Sequence, residues 1–126
     1  MDERLRQSLL YDFYGELLNE HQKAVFSAAV FDDMSYSELA EEFECSRQAA
    51  FDLVRRINKK LENYESKLGL LARFSNAKDK MEELSKAVTE MNSSVEASSI
   101  DDKTKKKLLK ELSGISEMST QIFEEF

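Results

Sequence analysis

The chain of 126 residues has no proline, no tryptophan and only three glycines, so residues that break helices are almost absent. Alternating runs of β-branched residues are absent too, whereas Leu, Glu, Lys, Ala, Met and Ser dominate the composition. Most of these residues favour α-helices. The alternation of side chains that is typical of β-strands is missing. We therefore predict an all-α protein.

Long apolar runs are missing as well. No stretch approaches the roughly 20 apolar residues that a bilayer-spanning helix requires. The first ten residues also lack the charged-then-apolar layout of a secretory signal. Cys45 is the single cysteine, which excludes an internal disulfide and a zinc site made of cysteines. We expect a cytoplasmic protein without membrane insertion.

Side chains that could serve as catalytic residues or metal ligands are equally scarce. His21 is the only histidine, and no thiol or carboxylate is arranged around it in the sequence. A glycine-rich phosphate loop is absent, so nucleotide hydrolysis has no support. A lone histidine does not make a metal centre or an acid–base pair. The sequence thus predicts no metal, no cofactor and no enzymatic activity.

The formal net charge of −7 looks unsuitable for a nucleic-acid-binding protein, but the charge is unevenly distributed. Residues 1–45 carry a net −8, residues 62–126 carry −3, and the short block 46–61 carries +4. That block has five basic side chains and one acidic one. The acidic remainder weakens non-specific binding to DNA and leaves room for a basic partner.

The positive block lies in a stretch typical of a helix-turn-helix, residues 35–61. Ser35 with Glu38 forms a capping box that opens a short helix, and Glu44-Cys45 forms the turn. Ser46 then caps a longer helix that we expect to end at Gly69 in a left-handed cap. In such units the second helix usually enters the DNA major groove.

Helical periodicity divides the longer helix into an apolar side and a basic side. On the basic side, Arg47 can pair with guanine and Gln48 with adenine. Phe51 suits either a thymine methyl group or a protein interface. The predicted nucleic-acid-binding residues are Ser46, Arg47, Gln48, Phe51, Arg55, Arg56, Lys59 and Lys60. The last four basic residues are expected to neutralise phosphates.

The same unit can also serve as a protein-binding or purely structural element. Glu44 stands where glycine is usual in the left-handed turn position, which costs up to about 1 kcal/mol. It also adds a negative charge near the DNA face. Asp52 is likewise expected to point toward the groove, where it disfavours docking unless it accepts a hydrogen bond from a cytosine amino group. These residues argue against tight DNA docking.

Two helices are predicted before this unit. The first should bury Leu5, Leu9, Leu10, Phe13 and Leu17. The second opens with a capping pair, Asn19 and Gln22, and should bury Val25, Phe26, Ala29 and Val30. The short helix of the helix-turn-helix should add Leu39, Ala40 and Phe43.

Beyond residue 70 the apolar spacing alternates between three and four residues, which predicts an antiparallel helical hairpin. One seam comprises Phe74, Ala77, Met81, Leu84, Val88, Met91 and Val95. The other comprises Leu108, Leu112, Ile115, Ser119, Ile122 and Phe126, after a polar connection at 93–102. Leu109, Met118 and Phe123 lie beside the second seam. This surplus apolar surface predicts docking on the first domain or a homodimer.

Four motifs of the sequence resemble the YlxM family of small helix-turn-helix proteins of Gram-positive bacteria. They are residues 10–15, 35–40, 46–49 and 64–70. The segment 19–60 is also similar, more broadly, to region 4 of bacterial sigma factors, which reads promoter DNA. The resemblance implies a regulator with Arg47 and Gln48 in contact with DNA. It further implies a link to the signal recognition particle, because family genes typically neighbour the gene of its GTPase.

Taken together, we predict a sigma-region-4-like helix-turn-helix domain at 1–70 and a helical hairpin for assembly at 71–126. The leading hypothesis is a non-enzymatic regulator that binds DNA, or the RNA of the signal recognition particle, through its basic helix. The alternative is an accessory factor that binds the particle's GTPase without reading DNA sequence.

Overall fold

The computed structural model describes residues 2–125 and contains six α-helices. They are α1 (Glu3–Tyr14), α2 (Glu20–Phe26), α3 (Tyr36–Glu42), α4 (Arg47–Leu68), α5 (Leu70–Glu96) and α6 (Asp102–Glu124). A 3₁₀ turn at Gly15–Leu17 follows α1, and a π-helical turn at Ser27–Phe31 extends α2. Strands are absent from the described part of the chain. The all-α prediction, with a helix-turn-helix type of fold, is confirmed.

Helix starts follow the capping signals of the sequence. Asn19 and Gln22 form a complete capping box on α2, and Ser35 and Glu38 form one on α3. Ser46 caps α4, where its side chain accepts a hydrogen bond from the Ala49 amide at 3.0 Å. Each of these side chains satisfies a backbone donor that the first helical turn leaves free.

The chain divides into two compact units, Met1–Leu71 and Ala72–Phe126. The core of the first unit is built from α1 to α4 and from Leu71 at the start of α5. Its most deeply buried side chains are Tyr14, Phe26, Leu10, Leu39, Ile57, Leu61, Leu71 and Val25. Tyr11 covers this core by stacking on Phe26, with ring centroids 4.9 Å apart.

Two residues predicted to lie in the core of α1 are exposed instead. Leu5 is 52 % exposed because it lies five positions before buried Leu10, roughly 140° around the helix. Leu17 is 53 % exposed because the 3₁₀ turn interrupts the helical periodicity after Tyr14. Tyr14 and Leu18 occupy the core in their place.

The inner face of the second helix also differs from the prediction. Val25 and Phe26 are buried as expected, but Ala28 is buried while Ala29 and Val30 are only half-buried. The cause is the π-helical turn, in which the Asp32 amide bonds the Ser27 carbonyl five residues back. This wider turn shifts the face that points inward. In α3, Leu39 is buried, whereas Ala40 and Phe43 are half-buried.

The junction between α4 and α5 is a single residue, Gly69, in the predicted left-handed conformation with φ of 64°. Buried Tyr14 stabilises this junction: its hydroxyl donates to Glu65 Oε1 at 2.5 Å and accepts from the Leu70 amide at 3.1 Å. Glu65 Oε1 also accepts from the Leu71 amide at 2.9 Å. A side chain of α1 and one of α4 thereby satisfy the first amides of α5.

The second unit is a hairpin of α5 and α6 joined by residues 97–101. The predicted connection at 93–102 was too long, because α5 continues through Glu96. Val88 and Leu112 are buried in the seam, and Phe74 stacks on Phe123 with ring centroids 5.2 Å apart. The stacking partners lie at opposite ends of the two helices, so the hairpin is antiparallel.

Phe123 takes the seam position predicted for Ile122, which is 64 % exposed. On an ideal helix Phe123 lies about 20° from buried Leu112, whereas Ile122 lies about 80° away. A strict heptad pattern drifts around a straight α-helix in this way. Leu84, Met91 and Ile115 were also predicted to lie in the seams, but they are exposed. Phe126, the last predicted seam residue, lies outside the described residues.

Candidate nucleic-acid interface

The predicted helix-turn-helix consists of α3, a short turn and the 22-residue helix α4. Glu44 adopts the left-handed conformation that the turn requires, with φ of 52°. The Cys45 amide bonds the Ala40 carbonyl at 2.9 Å, which closes the end of α3. Ser46 then caps α4 and is exposed, so its hydroxyl already has a structural role at the predicted site.

Helix α4 has a buried face and, opposite to it, a polar stripe. Ala50, Val54, Ile57 and Leu61 are buried against the first unit's core. On an ideal helix the stripe directly opposite contains Gln48, Asp52, Arg55 and Lys59, which we call the outer stripe. Gln48, Arg55 and Lys59 are exposed, and Asp52 is half-buried. Three predicted site residues therefore lie together where a partner has free access.

Arg47 and Phe51 were predicted on the same side as these three, but they lie on a separate flank. With Asn58 they follow a neighbouring row of α4, next to the start of α3. Phe51 packs edge-on against Tyr36, with ring centroids 5.2 Å apart. Its ring thus contributes to the contact between α3 and α4 and is only partly available to a ligand.

Arg47 borders a surface cavity of about 370 Å³ between α1, α3 and α4. Gln7, Tyr36 and Asn58 supply polar groups to this cavity, and Val30, Met34 and Val54 supply apolar walls. Arg47 remains exposed, so its guanidinium can reach either the cavity or a ligand along α4. The cavity itself had no signal in the sequence, because its residues come from three separate segments.

Arg56 and Lys60 form the opposite flank of α4, as predicted. Lys60 is half-buried, and its amine donates to Gln22 Oε1 of α2 at 3.4 Å. Arg56, Lys59 and Lys60 border a shallow depression of about 530 Å³ together with Glu62 and Asn63. Lys60 is therefore partly held against α2, whereas Arg56 and Lys59 are exposed.

The basic side chains of residues 1–45 form ion pairs, whereas those of residues 46–61 form none within residues 2–125. All three basic residues among the first 45 are paired: Arg4 with Asp33, Arg6 with Glu62, and Lys23 with Glu16 and Glu20. Arg6 binds Glu62 through two bonds of 2.7 and 2.8 Å, which lowers the pKa of that carboxyl. Among residues 2–125, the basic side chains of the block 46–61 form no ion pair. Their positive charge is not compensated by an ion pair within the described residues.

Asp52 does not present a free carboxylate at the centre of the outer stripe. Gln48 Nε2 donates to Asp52 Oδ1 at 3.2 Å, one helical turn along α4. This bond orients the Gln48 amide and occupies one carboxylate oxygen. The second Nε2–H and the Oε1 of Gln48 remain available for a base contact.

Asn58 and Tyr36 belong to the site by position but are missing from the predicted set. Asn58 follows Arg47 by eleven residues, a spacing that places both on one row of α4 and that the sequence does contain. Tyr36 had no such signal, because its contact with Phe51 arises only when α3 packs on α4. Within residues 2–125, no group of three His, Cys, Asp or Glu side chains could hold a metal ion. None of the described helices is both long and apolar enough to cross a membrane.

The sequence of the chain matches a family of known proteins. Residues 1–113 match the model of the UPF0122 family, described as "Putative helix-turn-helix protein, YlxM / p13 like". A UPF0122 protein of Halalkalibacterium halodurans is 43 % identical over 96 residues, which cover 76 % of this chain and 88 % of that protein. One of Listeria welshimeri is 46 % identical over 87 residues, which cover 69 % and 79 %. YlxM of Bacillus subtilis is 41 % identical over 103 residues, which cover 77 % and 94 %.

Proposed function

Since the chain belongs to the UPF0122 family of YlxM- and p13-like helix-turn-helix proteins, we propose that it is a non-enzymatic regulator that binds nucleic acid through α4. The proposed ligand is double-stranded DNA, with the RNA of the signal recognition particle as the competing nucleic acid. The proposal places the protein in the cytoplasm. It also pairs two copies of the chain through the hairpin, so that each assembly offers two α4 helices.

The observation that carries this proposal is the unpaired positive charge of α4. Four of the five basic side chains in its block 46–61 are exposed, and all five lack an ion pair within residues 2–125. The acidic surface of the same unit, by contrast, takes up every basic side chain of the first 45 residues. Uncompensated cations along an exposed helix attract a polyanion and release its counterions.

Each group of side chains has a separate role in this proposal. Gln48 and Arg47 read base edges near the start of α4, where bidentate bonds to adenine and guanine give sequence preference. Arg55, Arg56 and Lys59 neutralise phosphates further along the helix, which positions the protein without reading sequence. Lys60 adds charge from its place against α2, Ser46 holds the helix start, and Phe51 stabilises the contact with α3.

The test is selection of duplexes from a random pool by the full-length protein, because no target sequence is known in advance. We expect enrichment of one short sequence, with stronger binding to it than to the signal recognition particle RNA. Enrichment should disappear when Arg47 and Gln48 are both replaced by alanine. A pool that remains random, at protein concentrations that retain DNA, would contradict base reading.

A second function is favoured by the acidic surplus of the N-terminal residues. Residues 1–45 carry a net −8, and one of their carboxylates, that of Glu44, lies beside the start of α4. An acidic surface of this kind suits a basic protein partner. The second proposal is that the chain is an accessory factor of the signal recognition particle's GTPase, without sequence-specific DNA binding.

Co-sedimentation of the purified full-length chain with that GTPase tests the second proposal. A stoichiometric complex, together with weak and equal binding to all duplexes, would establish it in place of the first. Independent sedimentation of the two proteins at micromolar concentrations would exclude it. The salt dependence adds a check, since a complex formed through the acidic surface should dissociate as ionic strength rises.

A further inference from the structure

The hairpin of α5 and α6 has an open apolar groove along one side. The groove has a volume of about 410 Å³, and its lining is almost entirely apolar. On the α6 side it exposes Ile115, Met118 and Ile122, of which Met118 is 59 % exposed. On the α5 side it is bordered by Ala77 and Leu84. A connected apolar surface of this kind marks an interface rather than a solvated face.

The α5 edge of the groove continues as a second heptad row outside the hairpin seam. Ala77, Leu84 and Met91 recur every seven residues, and Leu84 and Met91 are strongly exposed. Lys80 and Ala87 lie between them on the same side of the helix and are exposed as well. Rows spaced by three and four residues are the pattern that packs against another helix. In the hairpin, α6 packs on the seam of α5 and does not cover this outer row.

The charges that flank the outer row change sign along the helix. Arg73 and Lys80 precede residue 82 of α5, and Glu83 and Glu90 follow it. All four are exposed, and none forms an ion pair within residues 2–125. The inner pair, Lys80 and Glu83, and the outer pair, Arg73 and Glu90, have the same midpoint. It lies between Met81 and Glu82. When a two-fold rotation about this midpoint relates two copies, the positive side chains of one copy meet the negative side chains of the other.

From this symmetry we propose that the groove closes against the same groove of a second copy of the chain, with the two α5 helices antiparallel. Lys80 of one copy then pairs with Glu83 of the other, and Arg73 pairs with Glu90. In this register Ala77, Leu84 and Met91 of the two copies alternate along the contact instead of colliding. The two hairpins become an antiparallel four-helix bundle whose interior takes in Ile115, Met118 and Ile122.

The opposite orientation of two copies does not fit the same surface. A parallel pair of α5 helices sets Lys80 beside Lys80 and Glu83 beside Glu83, and like charges at these positions repel. The inference defines the homodimer part of the proposed function, but it does not depend on nucleic-acid binding. An experiment can therefore disprove the dimer without disproving DNA binding, and another can disprove DNA binding without disproving the dimer.

Sedimentation equilibrium of the full-length chain across a concentration series tests the inference. We expect a dimer, and we expect Lys80→Glu to raise its dissociation constant by about tenfold or more, because each dimer gains two repulsive contacts. The double variant Lys80→Glu/Glu83→Lys should restore dimerisation, since it exchanges the charges of the pair. Lys86→Glu, an exposed change outside the proposed contact on the same helix, is the matched control and should leave the dimer intact.

Three results would overturn the inference. They are a monomeric wild-type chain, a Lys80→Glu variant that dimerises as well as the wild type, and a double variant that does not recover. Circular dichroism of each variant shows whether the hairpin is still helical, so that loss of fold is not read as loss of contact. Met118→Ser gives an independent check, because it removes apolar surface without a charge and should also weaken the dimer.

Discussion

The cations of α4 are the residues on which the proposed function depends. Arg55 and Lys59 belong to the outer stripe opposite the core, whereas Arg47 lies on the flank beside Tyr36. Their different positions imply different roles. A side chain at the start of the helix can reach base edges, and a lysine three turns later is better placed for the sugar–phosphate backbone.

We predict that Arg47→Ala and Lys59→Ala weaken DNA binding in different ways. Arg47→Ala should cost about 1–3 kcal/mol on the preferred duplex and much less on a scrambled one, because a base contact is lost. Lys59→Ala should weaken binding to both duplexes alike and lower the salt dependence. Fluorescence anisotropy titrations measure both effects, with Lys86→Ala as a control. Equal losses from Arg47→Ala on the two duplexes would exclude base reading by this residue.

Tyr14 should make the stability of the first unit depend on pH in the alkaline range. Burial, reinforced by the bond to Glu65, raises the pKa of the Tyr14 hydroxyl. The folded state therefore holds this proton more tightly than the unfolded chain, in which tyrosine has a pKa of about 10. The contribution is complete below that pH, and it is lost as the pH rises through the higher folded-state pKa.

Replacement of Tyr14 by phenylalanine isolates this contribution. At neutral pH we expect Tyr14→Phe to lower the free energy of unfolding by about 1–3 kcal/mol, because the Leu70 amide and Glu65 lose a buried partner. The difference from the wild type should shrink above about pH 10. Denaturant unfolding at several pH values measures it. Tyr64→Phe is the matched control, because the ring of Tyr64 is half-buried and its hydroxyl forms no hydrogen bond within residues 2–125. A pH-independent difference would contradict the assignment.

At the scale of helices, Gly69 and Gly114 differ in backbone conformation but not in the space around them. Gly69 ends α4 with a positive φ, and a Cβ added there meets nothing within 4 Å. Gly114 lies inside α6, and a Cβ there also meets nothing within 4 Å. Any effect of an added methyl group must therefore come from backbone conformation rather than from a clash.

We predict that alanine destabilises the protein at Gly69 and stabilises it at Gly114. Gly69→Ala should cost about 1–2 kcal/mol because an L-residue is strained in the left-handed region. Gly114→Ala should gain about 0.5–1 kcal/mol because alanine loses less conformational entropy in a helix. Thermal unfolding followed by circular dichroism measures both. Changes of the same sign would show that the backbone argument is wrong at one of the two positions.

Local signals in the sequence were enough to predict the starts of α2 and α3 and the end of α4, but not the end of α5. The Asn19 and Ser35 capping boxes and the Gly69 cap each depend on side chains within a few residues. The inward faces were less predictable wherever the helical period changed. The 3₁₀ turn exposed Leu17, and the π-helical turn buried Ala28 instead of Ala29. Such turns arise from packing between helices, which periodicity alone does not contain.

The candidate site was predictable to a similar extent. Periodicity correctly separated exposed Arg55 and Lys59 from buried Val54 and Ile57. It did not separate Arg47 from the outer stripe, because that distinction requires the position of α3. It also missed that Phe51 packs on Tyr36 and that Lys60 bonds Gln22. Each of these contacts joins residues distant in sequence.

The whole molecule combines an acidic chain with one basic helix and one open apolar groove. The family match extends through residue 113, so it includes the helix-turn-helix unit and most of the hairpin. The acidic remainder keeps non-specific affinity for nucleic acid low, so base contacts have to supply a large share of any tight binding. The proposed dimer would double the number of α4 helices that one assembly presents and so raise the affinity for paired half-sites.

The most direct test of the central claim is an anisotropy titration of the wild-type chain at two salt concentrations. The ligands are the duplex selected from the random pool, a scrambled duplex of the same composition, and the RNA of the signal recognition particle. The account predicts tight binding to the selected duplex, weak binding to the other two, and affinity that falls steeply with salt. Weak and equal binding to all three would contradict nucleic-acid recognition by α4 and leave the GTPase as the partner to test.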